Sequence, residues 1–406
     1  MSLLLKARSL LDGCGGPPLQ NAMVEVERGR ISNVGTAQDF GSRAQAGEVV
    51  DLGQRWLMPG MIDMHNHLRL SHLLPDPAEQ VHDAPVSYTL HAVHHLRTNL
   101  LSGVTTMRCN GDRDFIDVEV RQAVDSGLIA GPRLLVATRG IKATTCTGGM
   151  VATVLVDDTD QICQAIRENV ARGADHIKLF TSGGLGPRET ATHAFWASEQ
   201  IAAAVDEAHR LGVPIVAHCH GGPSARALIE AGVDVLEHGS YLTDPELDLM
   251  AQCGTWLDMT LGILVHPASD ARQGLAARLG QDGLTAMIED TLGTMRRAID
   301  SGVAIVLGTD TMHGMLAVEA AQAVALGMSN ASVVQALTGR AAQALGQADT
   351  LGCVRPGLAA DLVALDGDPL ADIAALERVA FVMARGTVMK WPSVGLATPS
   401  VGLATR

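Results

Sequence analysis

Hydrophobic and polar positions alternate at both ends of this chain of 406 residues. In MVEVERGRISNVG the alternation surrounds Arg28-Gly29, which predicts two strands joined by a tight turn. The closing segments DLVALD and VAFVMARGTVMK alternate in the same way, and the second is broken at Gly386. We therefore expect residues 1–57 and 353–392 to form one small β-sandwich domain from both chain ends.

Between residues 58 and 352, short apolar runs instead alternate with Ala- and Leu-rich stretches. Residues 198–212 and 224–232 carry apolar side chains at helical spacing and end at a glycine, as helices do. There are eight apolar runs: GMIDMH, GVTTMR, PRLLVAT, DHIKLF, VPIVAH, VDVLEH, TWLDMT and VAIVLGTD. Eight strand–helix units predict an α/β fold of the (β/α)8 TIM-like barrel type. Residues 393–406, which repeat SVGLAT, are expected to form a tail outside the core.

Composition narrows the functional class. Hydrophobic residues make up 47% of the chain and charged residues 18%, which is typical of a globular protein. There is no apolar run of about 18 residues and no signal peptide, so we expect a cytoplasmic protein that does not bind membranes. A net charge of -14 without a basic patch argues against a nucleic-acid partner. The expected partner is a small molecule, and a homo-oligomer is compatible with the sequence.

Two groups of residues favour structural roles. The seven cysteines are odd in number and contain no CxxC pair, so we expect reduced thiols rather than disulfides. The cluster HAVHH, with His91, His94 and His95, has helical spacing and is interpreted as part of a solvated helix.

The candidate chemistry lies at the strand ends. In a (β/α)8 barrel, functional side chains project from the C-terminal ends of the strands. His65 and His67 are two residues apart, so in a strand they face the same side and can grip one metal ion. Further polar residues end four other predicted strands: Lys178, His218, His238 and Asp310. Six such residues on five strands predict a metal site at the barrel mouth.

Lys178 is the unusual member of this set, because a lysine ammonium cannot bind a cation. A carbamate formed from Lys178 and CO₂ would instead offer two anionic oxygens that can bridge two metal ions. With two divalent cations, Asp310 and a hydroxide, the carbamate leaves the site at about +1, whereas an unmodified lysine leaves it at about +3. A strand-end salt bridge is the alternative.

These motifs resemble the amidohydrolase superfamily, in the branch of binuclear zinc enzymes that includes prolidase-like dipeptidases and related amide hydrolases. The resemblance rests on PGMIDMHNH, HIKLF, AHCHG, EHGSYL, LGTD and PGLAADLVALDGDPL, in that order. It implies two zinc sites joined by a carboxylated lysine: His65 and His67 with Asp310, and His218 with His238, bridged by Lys178.

The resemblance also implies a reaction, in which a zinc-bridged hydroxide attacks the carbonyl of an amide, dipeptide or carbamate and cleaves its C–N bond. Asp310 would act as the base and pass a proton to the leaving amine. His220 and Tyr241 occupy positions that contact the substrate in similar enzymes, although a loop histidine and a packing tyrosine are equally ordinary interpretations. Arg188 is a candidate carboxylate partner or a solvated surface arginine.

One residue departs from the resemblance. Prolidase-like relatives commonly have a histidine after the paired glycines of TTCTGGMV, where this chain has Met150. Because methionine is apolar, this favours a less polar substrate than a dipeptide.

Three alternative functions follow from the same sequence. A mononuclear deaminase of the superfamily would have a glutamate at the position of Gly221 and no need for Lys178. A cyclic-amide hydrolase of the same superfamily is the second alternative. An inactive scaffold would have lost ligands, whereas here all six are present.

Overall fold

The computed structural model describes residues 2–41, 48–75, 77–148 and 153–391. Met150 and the SVGLAT tail lie outside these described residues. Strands from both chain ends form one eight-stranded sheet. Its strands are β1 (Ser2–Leu10), β2 (Leu19–Glu27), β3 (Arg30–Thr36), β4 (Glu48–Asp51), β5 (Trp56–Pro59), β16 (Leu362–Leu365), β17 (Val379–Ala384) and β18 (Thr387–Lys390). They pair in the order β18-β17-β16-β5-β1-β2-β3, with β4 beside β1.

The two hairpins of this sheet lie where the alternation predicts them. β2 and β3 pair antiparallel with Glu27 opposite Arg30, and β17 and β18 turn at Gly386. A separate apolar core, which includes Leu5, Val24 and Phe381, lies against this sheet. The prediction that strands from both chain ends share one sheet is therefore confirmed.

All eight predicted barrel strands are present. They are β6 (Met61–Asn66), β7 (Val104–Cys109), β8 (Arg133–Val136), β11 (Ile177–Phe180), β12 (Ile215–Cys219), β13 (Val235–His238), β14 (Trp256–Met259) and β15 (Ile305–Leu307), with β9 (Gly140–Lys142) and β10 (Thr153–Leu155) in addition. β8 pairs with β7, and β9 pairs with β11. The third barrel strand is therefore bent, at Thr138, which has a φ of 62°. The Asp310 amide donates to the His65 carbonyl (2.8 Å) and links β15 back to β6.

Helices follow most of the barrel strands and cover the outside of the barrel. The helices are α1 (Ala37–Phe40), α2 (Pro77–Gln80), α3 (Pro85–Leu101), α4 (Ile116–Asp125), α5 (Thr159–Ala171), α6 (Arg188–Ala191), α7 (Ser198–Arg210), α8 (Pro223–Ala231), α9 (Asp244–Cys253), α10 (Gly262–Val265), α11 (Asp270–Asp300), α12 (Leu316–Ala325), α13 (Asn330–Ala336), α14 (Gly339–Ala344) and a 3-10 helix at Ile373–Glu377. The helices predicted at 198–212 and 224–232 are confirmed as α7 and α8. Among the described residues, no helix combines the length and apolarity needed to cross a membrane.

Two sequence-based predictions are wrong. Cys14 and Cys353 form a disulfide, because the end of β1 and the segment before β16 meet although 339 residues separate them. The other five cysteines are free thiols. In the HAVHH cluster on α3, His94 is exposed, but His95 is buried and stacks on His313 with ring centroids 3.9 Å apart. The interpretation as a solvated helix therefore fails for His95.

Candidate active site

The six predicted metal ligands meet at the C-terminal end of the barrel. All six line one cavity of about 690 Å³. They are His65 and His67 from the end of β6, Lys178 from β11, His218 from β12, His238 from β13 and Asp310 from the loop after β15. The fold thus brings together residues that are up to 245 positions apart in the sequence.

Asp310 lies at the centre of this group. Its Oδ1 is 3.3 Å from His65 Nε2 and 3.6 Å from His67 Nε2, and its Oδ2 is 4.0 Å from His238 Nδ1. Ligand atoms that bind one zinc ion tetrahedrally at about 2.0–2.1 Å lie about 3.3 Å from each other. The separations of 3.3 and 3.6 Å from His65 and His67 therefore suit one shared metal ion, whereas His238 Nδ1 lies farther away.

Three of the histidines have one ring nitrogen fixed by a protein partner. The Nδ1–H of His67 donates to the Gly111 carbonyl (3.0 Å), and the Nε2–H of His218 donates to the Gly183 carbonyl (2.8 Å). His238 Nδ1 lies 2.7 Å from Thr260 Oγ1. Metal-binding histidines usually have such a partner, because it fixes the ring orientation and leaves the other nitrogen for the ion.

Asp63 holds β6 and the β15 loop in place. Its Oδ1 accepts from the backbone amides of His65 (3.1 Å) and Thr309 (3.0 Å), and its Oδ2 accepts from Asn66 Nδ2 and Thr309 Oγ1. Gly308 allows the two strands to approach, because a Cβ at this residue would lie 2.4 Å from the Cβ of His65. These contacts set the separation of His65 and Asp310.

The backbone is strained at the same strand ends. His238 and Asp310 have φ angles of 69° and 43°, a region that non-glycine residues rarely occupy. Such strain persists where the surrounding structure holds a residue in place, and it concentrates at functional sites.

A buried charged network lies beneath the ligands. The Lys178 ammonium contacts the Glu237 carboxylate, and Arg108 binds Asp258 (2.9 Å) and approaches Glu237 (3.5 Å). All four side chains are fully or almost fully buried. Asn110 Nδ2 also donates to Glu237 Oε1 (2.5 Å). Glu237 Oε1 thus faces the Asn110 amide and the Arg108 guanidinium, and Glu237 Oε2 faces the Lys178 ammonium.

Burial shifts the protonation of the ligands. It lowers the pKa of Lys178 to about 7, and it raises the pKa of Asp310 to about 6 although the lysine charge opposes this. It also lowers the pKa of His67 to about 3 and those of His65 and His218 well below the ordinary histidine value. Neutral imidazoles, which are the form that binds metal, are therefore favoured here.

The predicted substrate contacts differ in their placement. His220 lines the cavity, its Nδ1 lies 3.0 Å from Ser240 Oγ, and its buried Nε2 has no hydrogen-bond partner in the described part of the chain. Tyr241 is buried, and its hydroxyl donates to the Gly186 carbonyl (2.8 Å). Arg188 is exposed and stacks over the Tyr241 ring, 4.7 Å from its centroid.

The cavity is lined by the predicted metal ligands, by apolar side chains and by three further charged residues, Glu79, Asp270 and Arg278. The described residues that line it do not include Tyr241 or Arg188. The apolar part of its lining is Leu70, Phe180, Leu185, Leu261, Ile263, Leu264, Ala271 and Leu275. Most of these residues come from loops after the strands and from α10 and α11.

Sequence reasoning missed the residues that support the ligands. Asp63 lies two positions before His65 and Glu237 directly precedes His238, so both were visible as charged residues inside apolar strand runs. A buried charge within such a run needs a partner and is itself a signal of function. Arg108, in the run GVTTMR, carried the same signal.

Residues 56–389 match the model of the Amidohydrolase family. The chain belongs to this family. The match spans most of the chain, and it confirms both the predicted superfamily and its α/β barrel fold. The family generally binds metal, and His65, His238 and Asp310 at the barrel mouth form a group that could hold a metal ion.

The similar proteins include an ochratoxinase and a Xaa-Pro dipeptidase. Ochratoxinase from Aspergillus niger is 28% identical over 412 aligned positions, which cover 94% of this chain and 85% of that protein. The crystal structure of A. niger ochratoxinase superposes with a TM-score of 0.85 at 27% identity and covers 97% of this chain and 96% of that chain. A crystal structure of a Xaa-Pro dipeptidase with methionine in its active site gives a TM-score of 0.82 at 26% identity, over 96% of this chain and 100% of that chain. Family and site together support the predicted metal-dependent hydrolysis of C–N bonds.

Proposed function

We propose that this chain hydrolyses an amide-type C–N bond with two zinc ions bridged by carboxylated Lys178. The observation that supports this most directly is the convergence of four imidazoles, one lysine and one carboxylate on one cavity. Zinc prefers imidazole and carboxylate ligands, and a carbamate adds two anionic oxygens. The lowered pKa of Lys178 favours the neutral amine, which is the form that reacts with CO₂.

The residues present fit this metal pair. His65, His67 and Asp310 would hold one ion, and His218 and His238 the other. His65 Nε2 lies beside Asp310, while its buried Nδ1 lies 3.5 Å from Glu237 Oε1 and makes no hydrogen bond among the residues that the structure describes. When bound, the zinc ions lower the pKa of water and polarise a carbonyl group.

The protein groups then have separate roles. Asp310 takes a proton from the attacking water and returns it to the leaving amine, which would otherwise depart as a poor anionic leaving group. His220 lines the cavity and has an unpartnered, buried Nε2 among the described residues, which is available to hydrogen-bond the substrate carbonyl. Tyr241 can assist only if its hydroxyl leaves the Gly186 carbonyl. Arg188 and Met150 remain proposed substrate contacts.

The apolar part of the cavity lining favours a substrate class. Leu185, Leu261 and Leu264 offer no partner for a charge, and an unpaired charge against them would cost several kcal/mol, whereas Glu79, Asp270 and Arg278 elsewhere in the lining could pair one. Neutral N-acyl or carbamoyl compounds with an apolar group should therefore be better substrates than Xaa-Arg or Xaa-Lys dipeptides, compared by kcat/KM. Faster hydrolysis of the charged dipeptides would restore the dipeptidase interpretation.

Deamination is the second candidate, and one position argues against it. A deaminase would need a glutamate at residue 221, where Gly221 has a φ of 139° and a Cβ would lie 2.8 Å from the Tyr241 carbonyl oxygen. A glutamate does not fit this backbone.

A substrate screen tests the proposal. Purified protein loaded with zinc would be assayed on N-acyl amino acids, dipeptides, carbamates, ureas and amino-substituted heterocycles, with ammonia release and metal content measured in parallel. We expect C–N cleavage and about two zinc ions per chain. Ammonia release from an amino-substituted ring with about one zinc would favour the deaminase, and a metal-free, inactive protein would favour a scaffold.

A further inference from the structure

A second group of possible metal ligands lies beneath the barrel mouth. Ligand atoms of His65, Glu237 and Asp258 all lie within 4.8 Å of one another, and the three side chains are buried. We call these three residues the lower group. His65 Nδ1 and Asp258 Oδ1 are buried and make no hydrogen bond within the described part of the chain. Imidazole nitrogen and carboxylate oxygen are ligands that zinc accepts, so the lower group has the chemistry of a metal site.

His65 stands between the lower group and the barrel mouth. Its Nε2 lies 3.3 Å from Asp310 Oδ1 at the mouth, and its Nδ1 lies 3.5 Å from Glu237 Oε1 in the lower group. A neutral imidazole can bind a metal ion through either nitrogen. A metal ion held by Glu237 and Asp258 would therefore compete with the mouth for His65.

Arg108 places a positive charge inside the lower group. Its Nη2 donates to Asp258 Oδ2 (2.9 Å) and lies 3.5 Å from Glu237 Oε1. Its Nε donates to the carbonyl of Met64 (2.6 Å), the residue that precedes His65. The side chain is almost fully buried, and a guanidinium stays protonated in proteins. Like charges repel strongly where water is excluded, so a metal ion is disfavoured beside this guanidinium.

We propose that Arg108 is a positioning residue that takes the place of a metal ion in the lower group, so that His65 binds metal through Nε2 at the barrel mouth. This rests on the proposed function, in which His65 is a zinc ligand and Lys178 becomes a carbamate. Carboxylation removes the ammonium that contacts Glu237. The guanidinium then compensates the carboxylates of Glu237 and Asp258 and holds the backbone beside His65.

Metal stoichiometry tests this role. Arg108→Met removes the charge but keeps a long side chain, whereas Arg108→Lys keeps the charge. Arg133→Met is the matched control, because it breaks another arginine–aspartate contact, from Arg133 Nη2 to Asp361 Oδ2 (3.3 Å), on the neighbouring strand β8. Arg133 is not among the described residues that line the cavity. Bound zinc per chain would be measured after dialysis against zinc.

We expect Arg108→Met to bind about one zinc ion per chain more than the wild-type protein, because the lower group can then hold metal. Arg108→Lys and Arg133→Met should bind the wild-type amount. Asp258→Leu combined with Arg108→Met should abolish the extra ion, since it removes a ligand. A gain of bound metal is a result that the loss of a purely structural contact would not produce. Unchanged stoichiometry in Arg108→Met would overturn the role of Arg108.

Folding is followed separately, since removing one partner of a buried ion pair destabilises a protein strongly. Zinc should raise the melting temperature of Arg108→Met more than that of the wild-type protein. Arg108→Gln, which is neutral but can still donate to a carboxylate, gives a second comparison. If neither variant folds even with zinc, the proposal is overturned, because the ion should replace the guanidinium. A wild-type protein that binds no zinc would refute the proposed function, whereas the difference between it and Arg108→Met still decides the role of Arg108.

Discussion

The Lys178 ammonium contacts the Glu237 carboxylate at the floor of the barrel mouth, and solvent reaches neither side chain. Each residue could therefore supply the anionic oxygens of a metal bridge, Glu237 directly and Lys178 after reaction with CO₂. Glu237 Oε1 also lies 3.5 Å from His65 Nδ1. The two possibilities predict different results for two substitutions.

If carboxylated Lys178 is the bridge, Lys178→Ala should lose most of the bound zinc and nearly all activity. A short carboxylic acid added together with zinc should restore part of the activity, because it can occupy the space of the carbamate. Glu237→Gln, which keeps the shape and the acceptor for Asn110, should retain most of the metal. Bound zinc and turnover would be measured for both variants. Full activity in untreated Lys178→Ala, or metal loss only in Glu237→Gln, would assign the bridge to Glu237.

Asp310→Asn should separate metal binding from proton transfer. In the native protein, Asp310 Oδ1 lies 3.3 Å from His65 Nε2. In the variant, a neutral amide oxygen can take this position, but the amide cannot act as a base. We expect the fold and much of the metal to persist while kcat falls by about 10²-fold or more. Asp300→Asn, at an exposed position at the end of α11, is the matched control. Wild-type turnover in Asp310→Asn would show that another group handles the proton.

Metal uptake should depend on pH. In the metal-free protein, burial gives Lys178 a pKa of about 7 and Asp310 a pKa of about 6. At about pH 8 the site therefore holds a neutral amine and an ionised carboxylate, whereas at about pH 5 it holds an ammonium and a neutral acid. Because zinc competes with protons for its ligands, uptake should fall as pH decreases from about 8 to 5.

This dependence can be measured by incubating metal-free protein with zinc and bicarbonate at several pH values and determining the bound metal. Lys178→Ala is the comparison, since any remaining pH dependence there reflects Asp310 and the histidines. Equal uptake by the wild-type protein at about pH 5 and pH 8 would contradict the proposed ligand chemistry.

The disulfide between Cys14 and Cys353 should stabilise the fold. It joins residues 339 positions apart, and closing so long a loop restricts the unfolded chain strongly. We expect Cys14→Ser to lower the free energy of unfolding by about 2–5 kcal/mol in urea denaturation without reductant. Cys253→Ser, at an exposed free thiol, should have little effect. A reductant should shift the wild-type curve onto that of Cys14→Ser, and an unchanged curve would show that the bond contributes no stability.

The sequence by itself determined the barrel and which candidate metal ligands lie at the ends of its strands. Both follow from short-range rules: alternation marks strands, and residues two apart such as His65 and His67 share a face. Parallel barrel strands then present their C-terminal ends at one mouth, so ligands such as His218 and Asp310 had to meet. No distance needed to be known for that inference.

Only the tertiary structure decided which distant groups touch. The Cys14–Cys353 bond, the stacking of His95 on His313 and the contact of Lys178 with Glu237 each join different elements. No local pattern encodes such contacts, because they depend on how helices and loops pack around the barrel.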